Sequence, residues 1–411
     1  MKKFLFILLL SLTSFCQAQD FMVGASEAPV NPSIPSYIAG HTQNRKFTGI
    51  RDSLFVKAVV VSSAERNITI LTVDCIGLLY PQLQDIRRIV QQEASGLNAS
   101  HIVLSSTHTH AGPDVVGLWG PDLMHSGVDS HYIRFLVNTA ARQIITAWNN
   151  RKMTKAVYGE GIHGEGWVFN ISEPAELDRS VTVLQFIDKA GKSVATLTNF
   201  ACHPTFVDAV HHEVSADYPQ GFYRRMNQSL GGVNLFIQGS IGGWVQPENE
   251  PQTFEQAYFR GSELADKTIS LLQHSIPVKG NSIGFSSRVF DLPVENAGFS
   301  QLSQAGVINR KIDSGVTTEI AWFSMGNAQF ATHPGETVPA MSLASKELMK
   351  AGGPKFVMGL SMDALGYILK PSFFDSSKNI PHSKYLCSMS VGPQTSAIVM
   401  NVLRELSAQK Q

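Results

Sequence analysis

Ser105-Ser106-Thr107-His108-Thr109-His110-Ala111-Gly112-Pro113 is the stretch on which the reading of this chain turns. It follows the run 101–104, which predicts a buried strand, and it ends in Gly-Pro, which forces a turn. Two histidines at i and i+2 on extended backbone point the same way, towards whatever lies beyond the strand end. Paired imidazoles at a strand-to-loop junction suit a metal site or an acid–base pair. The alternative is a pair of surface histidines in a polar loop.

Working outward, residues 55–63 and 68–75 are β-branched runs separated by 64–67, a predicted hairpin. Residues 81–94 carry Leu83, Ile86, Ile89 and Val90 at helical spacing. Further helices are expected at 130–148, 219–226, 254–274, 338–349 and 395–407. Strands are expected near 157 and at 182–187, 193–202, 233–239, 283–292, 319–331 and 356–362. No repeat, low-complexity run or composition break interrupts this order. The expectation is therefore an α/β fold, mixed β-sheets packed together and flanked by helices, as one unit over 19–411.

Several of these strands end in a metal-ligand type of residue beside Gly or Pro: His108, His203 before Pro204, and Glu336 after Pro334-Gly335. Tyr367 follows soon after the strand ending at 362. Strand ends gather at one edge of a sheet, so residues distant in sequence can meet there. Two histidines and a carboxylate form a common open zinc set with a position left for water, whose pKa the metal lowers from about 16 to about 7. Histidines and glutamates also end strands where no metal binds, and spacing alone leaves both readings standing. His211-His212 beside Glu213 reads as a solvated turn, because adjacent loop residues diverge, and His333 as a neighbour of the site. His41 is a candidate for the pocket wall; Trp119 and Trp244 are candidates for an apolar or sugar-stacking wall, or for buried aromatics. Ser105 and Ser106 have no Gly-x-Ser-x-Gly elbow nearby, which argues against a serine hydrolase.

Composition excludes some partners. The chain is 43% hydrophobic and 16% charged, with 33 Lys+Arg against 33 Asp+Glu, so nothing in its charge calls for nucleic acid or an anionic membrane. Met1-Lys2-Lys3, the apolar run 4–12 and a small-residue exit have the layout of a secretory signal peptide over 1–18, cleaved after Ala18. Phe15 is too bulky for a good lipoprotein cleavage site before Cys16. A secreted or periplasmic protein with at most peripheral membrane contact is expected. Cys75, Cys202 and Cys387 remain, an odd number that rules out a disulfide scaffold.

Residues 105–113 resemble the Thr-His-Thr-His-(Ser/Ala)-Gly-Pro signature of the neutral, non-lysosomal ceramidases. Weaker matches follow in that family's order: Val23-Gly24-Ala25-Ser26, Gly49-Ile50-Arg51-Asp52-Ser53-Leu54, Val73-Asp74-Cys75-Ile76-Gly77-Leu78, Phe200-Ala201-Cys202-His203-Pro204, Ser215-Ala216-Asp217-Tyr218-Pro219, Pro334-Gly335-Glu336 and Leu365-Gly366-Tyr367. The resemblance implies one Zn²⁺ held by His108, His203, Glu336 and Tyr367, and hydrolysis of the amide of an N-acylsphingosine. It implies that His110 lies beside the metal against substrate or oxyanion, that Tyr385 lines the site, and that Asp217 orients a ligand histidine.

This sequence also departs from the family. Ile171 stands where the family has a substrate-contacting arginine. The loop Gly242-Gly243-Trp244-Val245-Gln246-Pro247 lacks the family's Asp and Ser. The resemblance stops short of the family's immunoglobulin-like C-terminal domain. His41, Ile171, Trp244 and Gln246 are thus the expected substrate-side residues. The expected function is an exported zinc amidohydrolase of a small acyl or lipid substrate. The alternatives are a zinc esterase or deacylase of a carbohydrate or other small acyl compound, and a non-catalytic binding protein on the same fold.

Overall fold

The β-branched runs assemble into a large curved sheet. The computed structural model describes residues 20–64, 66–207, 210–248 and 251–409, so the expected signal peptide lies outside the described residues. Eight strands run in the order Val233–Gln238, Ser193–Phe200, Ser180–Asp188, Lys152–Ile162, Phe21–Pro29, Phe55–Ser63, Arg66–Val73 and Ile102–Ser106, with Ile276–Pro277 paired beside Lys152–Ile162. The two edge strands run parallel to their neighbours and all other pairings of this order are antiparallel. Each parallel edge needs a crossover; the helices Tyr80–Glu93 and Tyr218–Ser229 lie in those two crossovers. Strand Phe55–Ser63 is buried except at its two ends, a continuous apolar run expected where both faces are covered.

The second sheet joins Ile283–Pro293, Gly315–Met325, Ala328–Thr332 and Lys355–Met358. Its alternation divides two cores. Phe285, Phe323, Phe330 and Phe356 stack in a row across the four strands, with successive ring centroids 6.1, 4.5 and 4.4 Å apart, and face the core of the large sheet. Ile320, Trp322, Ala331 and Val357 face the other way, into a second core that includes Val399 and Leu403 of the helix Thr395–Ser407. Buried Arg87 ties helix Tyr80–Glu93 to this sheet through Glu319, Nη1 to Oε2 2.5 Å, and also donates to the carbonyls of Ser100 and Ile102.

The segment after Met358 bridges the two edges of the large sheet. Gly359 N–H donates to Gln238 O at 2.8 Å, Ser106 N–H to Leu360 O at 3.0 Å, and Met362 N–H to Leu104 O at 2.9 Å. A Cβ on Gly359 would lie 2.0 Å from Gly239 O, so only glycine fits. This bridge brings the ends of both edge strands to one place, where the histidine loops begin.

The expected helices all form, each within three residues of its predicted ends. The expected strand 319–331 is instead two strands, Gly315–Met325 and Ala328–Thr332, turning at Gly326-Asn327. Strands expected to run to 202 and 362 stop at Phe200 and Met358, because the loops that follow bend into the site. The short helices Ala297–Gln304 and Ser383–Ser388 were not expected from periodicity. Cys75, Cys202 and Cys387 are free. No helix among the described residues is long and apolar enough to cross a membrane.

Candidate active site

Two loops deliver the histidines, and one side chain registers both. Gln238, fully buried at the end of its strand, donates through Nε2 to Thr107 O at 3.0 Å and to Cys202 O at 2.9 Å. Those are the residues just before His108 and His203. Sequence reasoning missed Gln238, which belongs to no motif.

His108 takes the left-handed conformation, φ 70°, and its Nδ1 lies 2.6 Å from Ile76 O. His203 places Nδ1 2.8 Å from Val245 O. A carbonyl can only accept, so both rings carry their proton on Nδ1 when neutral and turn an Nε2 lone pair inward. Burial lowers the pKa of His203, outweighing the opposing pull of Glu336, and keeps it neutral. The Glu336 Oε2 lies 3.1 Å from His203 Nε2 and 3.5 Å from His108 Nε2. Burial raises the Glu336 carboxyl, and positive charge on the His108 and His203 rings would pull it well below the usual carboxylate range; with the rings neutral, it is a cation at the centre that would supply that charge.

Two nitrogen lone pairs and a carboxylate oxygen thus converge with no proton between them, a donor set that fits a cation. His110 enlarges it: one ring nitrogen from each of His108, His110 and His203 lies within 4.8 Å of the others. Tyr367 OH accepts the Trp244 Nε1–H at 2.7 Å and donates to Glu336. Burial, then the Glu336 charge, pushes its phenol well above the ordinary value; a cation at the centre would invert that environment.

Asp217, φ 62°, accepts from the N–H groups of Val207 and Tyr218 and caps the helix Tyr218–Ser229. Asp217 was expected to orient a ligand histidine; the Nδ1 atoms of His108 and His203 face the carbonyls of Ile76 and Val245. Asp217 instead fixes the backbone that follows His203. Two more left-handed residues flank the centre, Trp244 at φ 59° and Met362 at φ 70°.

Two cavities meet at the histidines. One, of about 90 Å³, is walled mainly by apolar side chains, among them Leu79, Phe299, Ile308, Leu365 and Val391, and is also lined by His108, His110, Glu336 and Tyr367. The other, about 580 Å³, is more polar and is lined by His41, Thr42, Ile171, Thr205, Gln246 and His382. Trp244 lies between His382 and Tyr385, ring centroids 4.6 and 5.5 Å away. The expected substrate-side residues His41, Ile171, Trp244 and Gln246 all line this second cleft, and Tyr385 lines both. Gly40, at φ 101°, packs so closely on His110 that a Cβ would lie 2.5 Å from the ring, which sets where His110 stands.

No family model matches the chain. Among solved structures, the neutral ceramidase from Pseudomonas aeruginosa superimposes with a TM-score of 0.76 at 17% identity, covering 94% of this chain and 74% of that one. This chain has the neutral-ceramidase fold. A ceramidase complexed with C2 superimposes over the same shares with a TM-score of 0.75 at 16% identity. The neutral-ceramidase fold was the expected one, with several sheets and flanking helices.

The other histidines behave as solvated or structural groups. His211 Nε2 donates to Gln252 O and His212 Nδ1 to Lys46 O. His333 is fully buried, 2.7 Å from Thr337 Oγ1 and 3.0 Å from Ser345 Oγ. Burial lowers its pKa from 6.5 to about 3. The unfolded chain therefore binds one more proton than the folded one between those values, and stability present above pH 6.5 is lost as pH falls towards 3. His333→Gln is expected to flatten the acid side of the stability–pH curve by about one proton. Denaturant midpoints measured across this window check it, and an unchanged slope would show that His333 titrates normally.

Proposed function

We propose that this chain is a zinc-dependent hydrolase of a linear amide, with one Zn²⁺ held by His108, His203, Glu336 and Tyr367 and an N-acylsphingosine-like lipid as substrate. The observation that carries this reading is the inward-facing Nε2 lone pair of His203, 3.1 Å from an ionised Glu336 oxygen and fixed there by the Val245 carbonyl. Neutral donors and a carboxylate so close together repel unless a cation sits among them. In such an open set a zinc ion supplies Lewis-acid polarisation of a carbonyl and water activation near neutral pH.

The chain's own residues supply the rest. His110 stands at the mouth of both cavities, its ring 5.0 Å from that of His108, where it can donate to the oxygen on which charge develops or hand a proton to the leaving nitrogen. The apolar cavity suits an acyl chain and excludes water from it. The polar cleft takes the leaving amine, with Trp244 and Tyr385 offering ring faces and Gln246 an amide. Ile76 and Val245 hold the two imidazoles in one tautomer, so no reorientation is needed during turnover. We read residues 19–411 as one catalytic unit, exported by the leader at 1–18.

A second reading has its own support. Ile171 and Gln246 line the wide polar cleft, and no described residue of that lining carries a fixed charge. That favours a neutral, hydroxylated leaving group, including a sugar, and extends the reading to esterase or deacylase activity. A binding protein on this fold is disfavoured by the convergent donor set. Zinc content measured together with hydrolysis of a fluorogenic N-acylsphingosine separates these readings. One zinc per chain with hydrolysis is expected. Zinc without hydrolysis of this substrate would move the assignment to esters and acylated sugars, and inactivity on those as well would leave a binding protein. Absence of zinc would overturn the ligand set.

A further inference from the structure

We propose that the apolar cavity restricts the substrate to a short acyl group, of about four carbons or fewer, with the bulk of the molecule on the leaving side. The inference rests on the hydrolase reading for the entry of the acyl group into this cavity, and it narrows that reading to one substrate class. The cavity borders the donor set directly, since His108, Glu336 and Tyr367 line it. It shares His110, Tyr367 and Tyr385 with the polar cleft, so a carbonyl at the centre has a separate space for each of its two substituents. The two spaces are unequal: about 90 Å³ on the apolar side against about 580 Å³ on the polar side.

A cavity of about 150 Å³ lined by aliphatic and aromatic side chains holds one benzene ring, roughly 25 Å³ for each carbon. On that scale a space of about 90 Å³ takes about three or four carbons. The walls leave little slack for more. Leu79, Phe299, Ile308, Ile312, Leu365 and Val391 belong to one packed cluster, and none is more than 8% exposed. Their main chain is pinned as well. Leu365 N–H donates to Pro334 O at 3.0 Å, Ile308 N–H to Leu302 O at 3.3 Å, and Val391 O accepts from Glu295 N–H at 2.8 Å.

A close-packed interior resists the insertion of even one extra methylene. An acetyl to butanoyl group fits the space as it stands, whereas a long chain has to part the cluster. These side chains therefore read acyl length. The wide cleft, with no fixed charge in its described lining, accepts the larger, leaving part of the substrate.

The test reads binding, without catalysis. Straight-chain hydroxamic acids from acetyl to octanoyl share one metal-binding head and differ only in chain length. Each is titrated into the purified full chain by calorimetry. Affinity is expected to peak at the propanoyl or butanoyl member and to fall by about tenfold or more at octanoyl. An open apolar groove would instead gain affinity with every added methylene. Phe299→Ala removes a whole ring from the wall and should move the peak to a member longer by about four carbons. Affinity that rises steadily with length, equal affinity for all members, or an unmoved peak in the alanine variant would overturn the proposal. If that variant does not fold, the wild-type profile decides: a short-chain peak supports the inference, and a flat or rising profile overturns it. No binding by any member would overturn it together with the metal centre. Turnover of N-acyl substrates is a separate readout, so a short-chain peak without turnover would sink the hydrolase reading and leave the length limit standing.

Discussion

His203→Ala is expected to strip the site of its metal and to lower hydrolysis by on the order of 10³-fold or more. The substitution removes an inward lone pair and leaves Glu336 facing His108 and the Tyr367 hydroxyl. The Val245 carbonyl loses its ring partner but keeps the main-chain N–H of residue 203 at 2.9 Å, so no buried acceptor is left unsatisfied. Here the ring borders the polar cleft, so water can enter the vacated space and the fold should persist. Metal per chain, turnover and a thermal melt on the same preparation check the prediction together. Full metal with lost turnover would make His203 a substrate-facing group and turn attention to His110 as the third nitrogen donor. Full metal and full turnover would remove the centre from this place altogether.

The second large effect concerns stability. Glu319→Ala should cost about 3–5 kcal/mol, because it leaves the Arg87 charge buried without its counter-ion. The side chains of Arg87 and Glu319 are 10% and 3% exposed, so solvent screens them little. The pair joins the helix Tyr80–Glu93 to the strand Gly315–Met325, between the two sheets. Replacing both partners, Arg87→Met with Glu319→Leu, should recover most of the loss, since well-packed apolar groups serve as well as a buried pair. Urea midpoints of the single and double variants give the comparison. A single-variant loss below about 1 kcal/mol would mean that Arg87 reaches water when its partner is gone.

These two regions also mark what the sequence made legible. The hairpin near 55–75, the long amphipathic helices and the strand before His108 follow from periodicity, which reports the face each residue turns to the core. The spacing of His108, His203 and Glu336 against Gly and Pro was visible for the same reason: a strand end followed by a breaker is a local signal. What orients the imidazoles was not legible. The acceptors on Nδ1 are the main-chain carbonyls of Ile76 and Val245, and any side chain could stand at those positions. Gln238 stayed hidden too, because its value lies in reaching two loops that are distant in sequence. The split of 319–331 went unseen because Gly326-Asn327 is a two-residue turn inside an otherwise continuous apolar run.

The left-handed backbone at His108, Asp217, Trp244 and Met362 has a consequence over evolutionary time. Each such residue forgoes about 1–3 kcal/mol relative to a relaxed conformation, in a molecule whose whole margin is of order 5–15 kcal/mol. Selection for turnover would hold these four side chains where glycine fits the backbone better. In a lineage released from that selection glycine relieves the strain, but at buried Met362 and Asp217 the lost packing and hydrogen bonds outweigh it. Trp244, half-buried beside the cleft, is the position where the exchange costs least, so inactive descendants should show glycine there first, before the surrounding strands have changed.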